Sequence, residues 1–272
     1  MRPTLLLLAL QAAGPSFPFD AETAQRYQTE YARSSGLPAV VENSIGMKLA
    51  LMPPGRFEMG PNGSKHRVTL SKPFYLGVAE VTLAQFRAWK PEHKIEGSEA
   101  AFQEGDRPAA QVSWIEAREF CAWLSERPEE KAAGRVYALP TEAQWEWAAR
   151  AGSKEDYPFE DKKKVAEYAW FNHTYTPNPK HESGDRGRQP VMKLKPNAWG
   201  LYDTLGNVWE WCADRREDAA TGERRDPVMR GGGWRSGGFH CTTVAHDPGD
   251  PRLRGDSIGF RVACATADSQ RR

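Results

Sequence analysis

The stretch LPTEAQWEWAAR, residues 139–150, packs a helix start and a buried helix face into one short string. Thr141 is followed three residues later by Gln144, the spacing of a capping box. In that motif a hydroxyl accepts from an early helix amide while the Gln side chain reaches back to the cap. Trp145 and then Ala148 or Ala149 recur at helical spacing, which predicts an amphipathic helix with an indole on its buried face. The same signature occurs earlier, at Thr82 with Gln85 and at Ser113 with Glu116. After Ser113, the positions Trp114, Ala117, Cys121 and Leu124 keep helical spacing, so Cys121 belongs on a buried face. A second long string, GLYDTLGNVWEW at 200–211, is aromatic and Gly-containing with little helix signal.

Outward from these strings the pattern changes. Lys48 to Met52, Phe57 to Met59, Arg67 to Leu70 and Phe74 to Val81 are short alternating runs, separated by PPG at 53–55 and NG at 62–63. They predict small antiparallel strands and turns. Residues 19–38 are polar with intermittent apolar positions, as in a short helix or a linker. The stretch from Ala151 to Met192 is charged, with Asp161 to Lys164 a solvated run, and is expected to be loops. No internal repeat is visible. The sum is an α+β body dominated by irregular connections, and 10 Trp, 24 Gly and 20 Pro in 272 residues fit a compact fold held by aromatic plugs.

Lys plus Arg is 37 against 36 Asp plus Glu, a net charge of +1. That balance lacks the basic surplus of a nucleic-acid binder. The N-terminus reads MRPT, then the apolar run LLLLAL at 5–10, then QAAG. One positive charge, a short apolar run and small residues form the layout of a secretory signal, far short of the roughly 20 residues a membrane span needs. The expected organisation is therefore a signal peptide over 1–14, a helix or linker over 15–42, a main domain over 43–265 and a disordered tail over 266–272. No transmembrane segment is expected, and the location is secreted or periplasmic. Cys121, Cys212, Cys241 and Cys264 are an even set for an oxidising compartment, and three pairings are open to them. No CxxC or His/Cys cluster suggests zinc.

Several further strings follow one another in a fixed order: NSIGMK at 43–48, PPGRFEMG at 53–60, EVT at 80–82, VSW at 112–114, RGGGW at 230–234 and GFR at 259–261. With the two long strings, they resemble the formylglycine-generating enzyme family, the sulfatase-modifying factors, from about Asn43 to Ala265. The resemblance implies a variant of the C-type lectin fold with little regular secondary structure. It also implies a reaction: in these oxidases two cysteines shortly after the RGG string hold copper and convert a substrate cysteine to formylglycine. Here the two positions are Ser236 and Cys241. Cu(I) selects soft sulfur ligands, and a serine hydroxyl is a hard, protonated oxygen. Thr242, Thr243, Val244 and Ala245 stand where the family has an arginine-rich substrate face, and Ala138 stands where an arginine usually precedes the LPTE string. Copper is thus not expected. The expected function is a divergent extracytoplasmic module that binds a peptide or protein ligand in a cleft near Trp234, Ser236 and Cys241. The alternative is a formylglycine-generating oxidase or a related oxidoreductase. Iron-dependent sulfoxide synthases share this domain, but the HxxxH motif they carry is missing from the chain.

The resemblance further implies the disulfides Cys212–Cys241 and Cys121–Cys264. It implies calcium at Asp203, Gly206, Val208 and Glu210, through two side chains and two carbonyls. The alternative reading of the same residues is that Asp203 caps a turn and Glu210 pairs with an arginine such as Arg230. His240 and His246, which flank Cys241, read as solvated loop residues. Trp145, Trp147, Trp209, Trp211 and Trp234 read mostly as core. Asn62 and Asn172 begin glycosylation sequons.

Overall fold

The computed structural model describes residues 14–97, 100, 102–159, 161–172, 187–217 and 224–266. The expected signal peptide and C-terminal tail lie outside the described residues, apart from Gly14 and Thr266.

Among the described residues, three short sheets and five α-helices carry the architecture. Helix α1 (Ala21–Ser35) opens the chain, with the Asp20 side chain accepting from Thr23 N at 2.7 Å. A five-stranded sheet follows in the order β1 (Val40–Glu42), β2 (Lys48–Met52), β5 (Phe74–Gly77), β11 (Ala263–Ala265), β6 (Val136–Ala138). The hairpin of β3 (Gly55–Met59) and β4 (His66–Leu70) stands apart as a two-stranded sheet. The third sheet runs β10 (Ile258–Gly259), β7 (Trp209–Glu217), β8 (Arg224–Arg230), β9 (His246–Pro248). The short runs between Lys48 and Leu70 thus form the antiparallel strands expected of them. The run at Phe74 stops at Gly77 rather than Val81, because Val78 N and Val81 N turn to the carbonyls of Lys48 and Phe260.

All three expected helices form with the expected caps. In α2 (Leu83–Arg87), α3 (Trp114–Glu126) and α5 (Glu142–Arg150) the hydroxyls of Thr82, Ser113 and Thr141 accept from the third helical amide, and Gln85, Glu116 and Gln144 reach back to the cap amide. A short α4 (Pro128–Ala132) follows α3 and leads into β6. The solvated lysine run does not stay a loop. Asp161 caps a 3-10 helix over Lys162–Glu167, which leaves the lysines exposed and drives Val165 inward.

The main core lies between α3 and the five-stranded sheet, where Phe86, Phe120, Leu124 and Phe260 pack with Trp211 from the third sheet. A second core holds α5 against the hairpin and α1 through Trp147, Phe57, Phe74 and Trp199. Helix α5 packs against the β3–β4 hairpin and against β7 and β8 of the third sheet, and a buried charged network is built there.

Candidate functional site

Charged residues buried in an apolar setting need partners, and the two long strings supply them to each other. Glu210 on β7 is almost fully buried, and Arg261 binds both of its carboxylate oxygens at 2.6 Å. The indole of Trp145 on α5 donates to the same Glu210 Oε2 at 2.7 Å. Arg261 spends its other donors on the carbonyls of Gly77 and Tyr202, each at 3.0 Å. A second charged cluster lies beside Trp145: Glu146 is bracketed by Arg150 and Arg230, all three buried. The Arg230 guanidinium sits 5.3 Å from the Trp145 ring centre. Glu210 and Arg230 are register partners on β7 and β8, yet Trp145 separates their charges. Of the two readings of Glu210, ion pairing is thus realised, but with Arg261 in place of Arg230.

Two more acids complete this interior. Glu80, 2 % exposed, accepts from Asn207 Nδ2 at 3.0 Å and from Val208 N at 3.2 Å. Asp203 has φ of 53° and accepts from Met192 N at 2.7 Å through Oδ2, while its Oδ1 is buried with no partner. Burial pushes the Asp203 carboxyl up to about 6. Burial, with Asp203 and Glu210 nearby, holds Glu80 well above the usual carboxylate range. Gly206 is required by geometry. Its φ is 76°, and a Cβ there would lie 2.1 Å from the Trp170 carbonyl oxygen.

These residues fit calcium poorly. The ion wants several free oxygens, at least some anionic. Asp203 has one to offer, but both oxygens of Glu210 are taken by a guanidinium and an indole. Among the described residues no three His, Cys, Asp or Glu side chains converge as a metal site would need.

The chain then turns through Gly231 and Gly232, both at positive φ, into the loop that bears the expected cleft residues. Ser236 closes this turn on itself: its amide donates to the Gly233 carbonyl at 2.8 Å, and its Oγ accepts from Gly233 N at 3.0 Å. Trp234 is half-buried, with its indole donating to Asp256 O at 3.3 Å and Arg235 stacked 4.6 Å from its ring centre. Arg235 also pairs with Asp256 at 2.6 Å. Cys241 lies below this surface. It is 0 % exposed, packed among Val165, Ala169, Phe171 and Leu205, and burial pushes its thiol up to about 12. The expected three-residue cleft is therefore corrected: Trp234 and Ser236 reach the surface and Cys241 does not. In its place stand Phe239, 65 % exposed, and His240 against its ring. His246 is likewise exposed, as expected. The arginine-rich face is replaced in structure as well as in sequence, since Thr243 is buried and bonds through its amide to Asp156.

The expected disulfides are not formed in this structure. All four thiols are free and buried. Cys212 packs with Trp145 and Ala149, a different cluster from that of Cys241, whereas Cys121 and Cys264 share the main core. Sequence reasoning passed over Glu80 and Arg261 as site residues. The signal was present in each case: a charge isolated in an apolar run, Val78–Val81 and Phe260–Val262.

An α+β body with three small sheets, long connections and a buried charged centre where α5 meets β7 is the formylglycine-generating-enzyme-like variant of the C-type lectin fold. The chain belongs to the family of the sulfatase-modifying factor enzyme 1-like domain, whose model matches residues 37–266. It is similar to the Bos taurus protein named inactive C-alpha-formylglycine-generating enzyme 2, 34 % identical over 163 residues, covering 57 % of this chain and 50 % of that protein. The chain spans about half the length of that relative. It is also similar to the chaperone protein LppX of Paenibacillus barcinonensis, 29 % identical over 229 residues, 70 % of this chain and 80 % of that protein. Among solved structures, PvdO from Pseudomonas aeruginosa matches with a TM-score of 0.68 and 28 % identity over 84 % of this chain and 98 % of that one. Treponema denticola variable protein 1 matches with a TM-score of 0.69 and 26 % identity over 84 % and 100 %.

Proposed function

We propose that this chain is a non-catalytic member of its family, an extracytoplasmic module that binds a peptide or protein ligand rather than oxidising a cysteine. The observation that carries the reading is the chemistry at the two positions where copper thiolates would stand. At one, the Ser236 hydroxyl is tied to Gly233 N. At the other, the Cys241 thiol is enclosed and raised to about 12. Burial thus keeps this thiol in its protonated form near neutral pH. Neither group offers the soft anionic sulfur that Cu(I) selects. Relatives named as an inactive enzyme and as a chaperone support a binding role for this fold. The surface that remains over the buried cysteine presents Phe239 and the half-buried Trp234, an aromatic pair suited to anchoring a ligand side chain. Export rests on the N-terminal leucine run.

The test is turnover. Incubated with copper, oxygen and a peptide containing CxPxR, the protein should leave the peptide cysteine unchanged by mass. Formation of the aldehyde product would end the non-catalytic reading.

A further inference from the structure

The molecule carries a concave surface that the Trp234 loop does not line. It lies between α3, β6 and the middle of β7, has a volume of about 610 Å³, and is lined by none of Trp234, Ser236 or Cys241. That volume is within the range of small-ligand pockets, roughly 300–1,000 Å³. Its floor is apolar: Cys121, Tyr137 and Leu139 are all buried. Its walls are kept low by Ala122, Ala138 and Ala213. Charge enters only as arginine. The Arg118 guanidinium stacks 4.6 Å from the ring centre of Trp114, and that of Arg215 lies 5.7 Å from the same ring. Trp114 itself is fixed, since its indole donates to the Cys212 carbonyl at 2.8 Å. No acidic side chain lines the groove.

We propose that this groove binds a small organic carboxylate, with its acid group on Arg118 and its flat apolar body over Leu139 and the alanines. A guanidinium laid on an indole keeps its N–H edges free and in a fixed plane, the geometry that grips a carboxylate with two parallel bonds. An added β-strand is a poor occupant. The middle of the outer edge of β6 is closed, because Tyr137 N already donates to Ser125 Oγ at 2.8 Å. The Tyr137 hydroxyl is also engaged, donating to Glu130 at 2.6 Å. The groove therefore selects by its arginines and an apolar floor.

Calorimetric titration of the whole chain with 2-naphthoate, and with its uncharged twin 2-naphthamide, tests the assignment. The acid should bind one to one, and the amide about tenfold or more weaker, the loss of one charge-assisted bond pair. Arg118→Gln should weaken the acid by about the same factor and leave the amide unchanged. Ala122→Glu, on the exposed side of α3, should abolish binding of the acid while circular dichroism melting stays native-like. The site is refuted if the acid does not bind, if acid and amide bind equally, or if either variant binds the acid as the native chain does.

Discussion

Replacing Arg261 by methionine strands the charge at the centre of the molecule. Arg261 is 0 % exposed and makes two bonds to Glu210 and one each to the carbonyls of Gly77 and Tyr202. Methionine fills much of the same volume, so the cavity contribution is small. Removing one partner of a buried ion pair costs about 3–5 kcal/mol, and each carbonyl left without its donor adds about 1 kcal/mol. The sum, near 5 kcal/mol or above, is a large share of the total stability of a domain. For a chain of this size it corresponds to a fall in Tm of roughly 10–20 °C. Urea unfolding at neutral pH, followed by tryptophan fluorescence, reads the difference. The variant in which Glu210→Gln accompanies Arg261→Met removes the stranded charge and should recover about 2 kcal/mol of the loss. An Arg261→Met protein within about 1 kcal/mol of native would refute the claim that this buried pair is a main support of the fold.

The remaining expectations are shorter. Because Glu210 is committed to Arg261, exchanging calcium for EDTA should move Tm by less than about 1 °C, and a clear calcium-dependent rise would restore a cation site at Asp203. Gly206→Ala should cost about 3 kcal/mol, from a left-handed backbone and a Cβ pressed on the Trp170 carbonyl, and a neutral result would mean that the loop relaxes freely. Burial opposes ionisation of Glu130, but bonds from Tyr137, Ser44 and Arg135 prevail and hold its carboxyl below the usual range. Its contribution to stability is therefore present above about pH 4.5 and is lost as pH falls through the lower folded value. The stability gap between native protein and Glu130→Gln should be constant near neutrality and narrow in acid, and a gap independent of pH would contradict the assignment. Thiol titration without reductant should find four reactive groups after denaturation and almost none before, as four buried free thiols require. Two reactive groups after denaturation, mapping to Cys212 and Cys241, would reinstate the Cys121–Cys264 bridge.

Much of the fold could be read locally. The capping boxes at Thr82, Ser113 and Thr141 placed three helix starts, because a hydroxyl and a Gln or Glu three residues apart act within one turn. Cys121 and Trp145 were placed on buried faces by helical spacing alone. The site was less legible because its contacts are not local. Glu210 and Arg261 are 51 positions apart, and Glu80 and Asn207 are 127 apart. Residue type suggested that Glu210 would find an arginine. Only packing decided which one, by setting Trp145 between Glu210 and Arg230. The depth of Cys241 was hidden for the same reason: Val165, Ala169 and Phe171, which bury it, come from a stretch whose sequence reads as charged loop. The expected bridge from Cys212 to Cys241 joined two positions that pack in different clusters.

Titration of the fully reduced native protein with Cu(I) against a competing chelator of known affinity reads the chemistry at Ser236 and Cys241 without reference to any substrate. The account predicts that the chelator keeps the metal and that Cys241 stays unlabelled by a thiol reagent until the protein unfolds. One equivalent of copper held by the folded chain, and lost in Cys241→Ser, would contradict it.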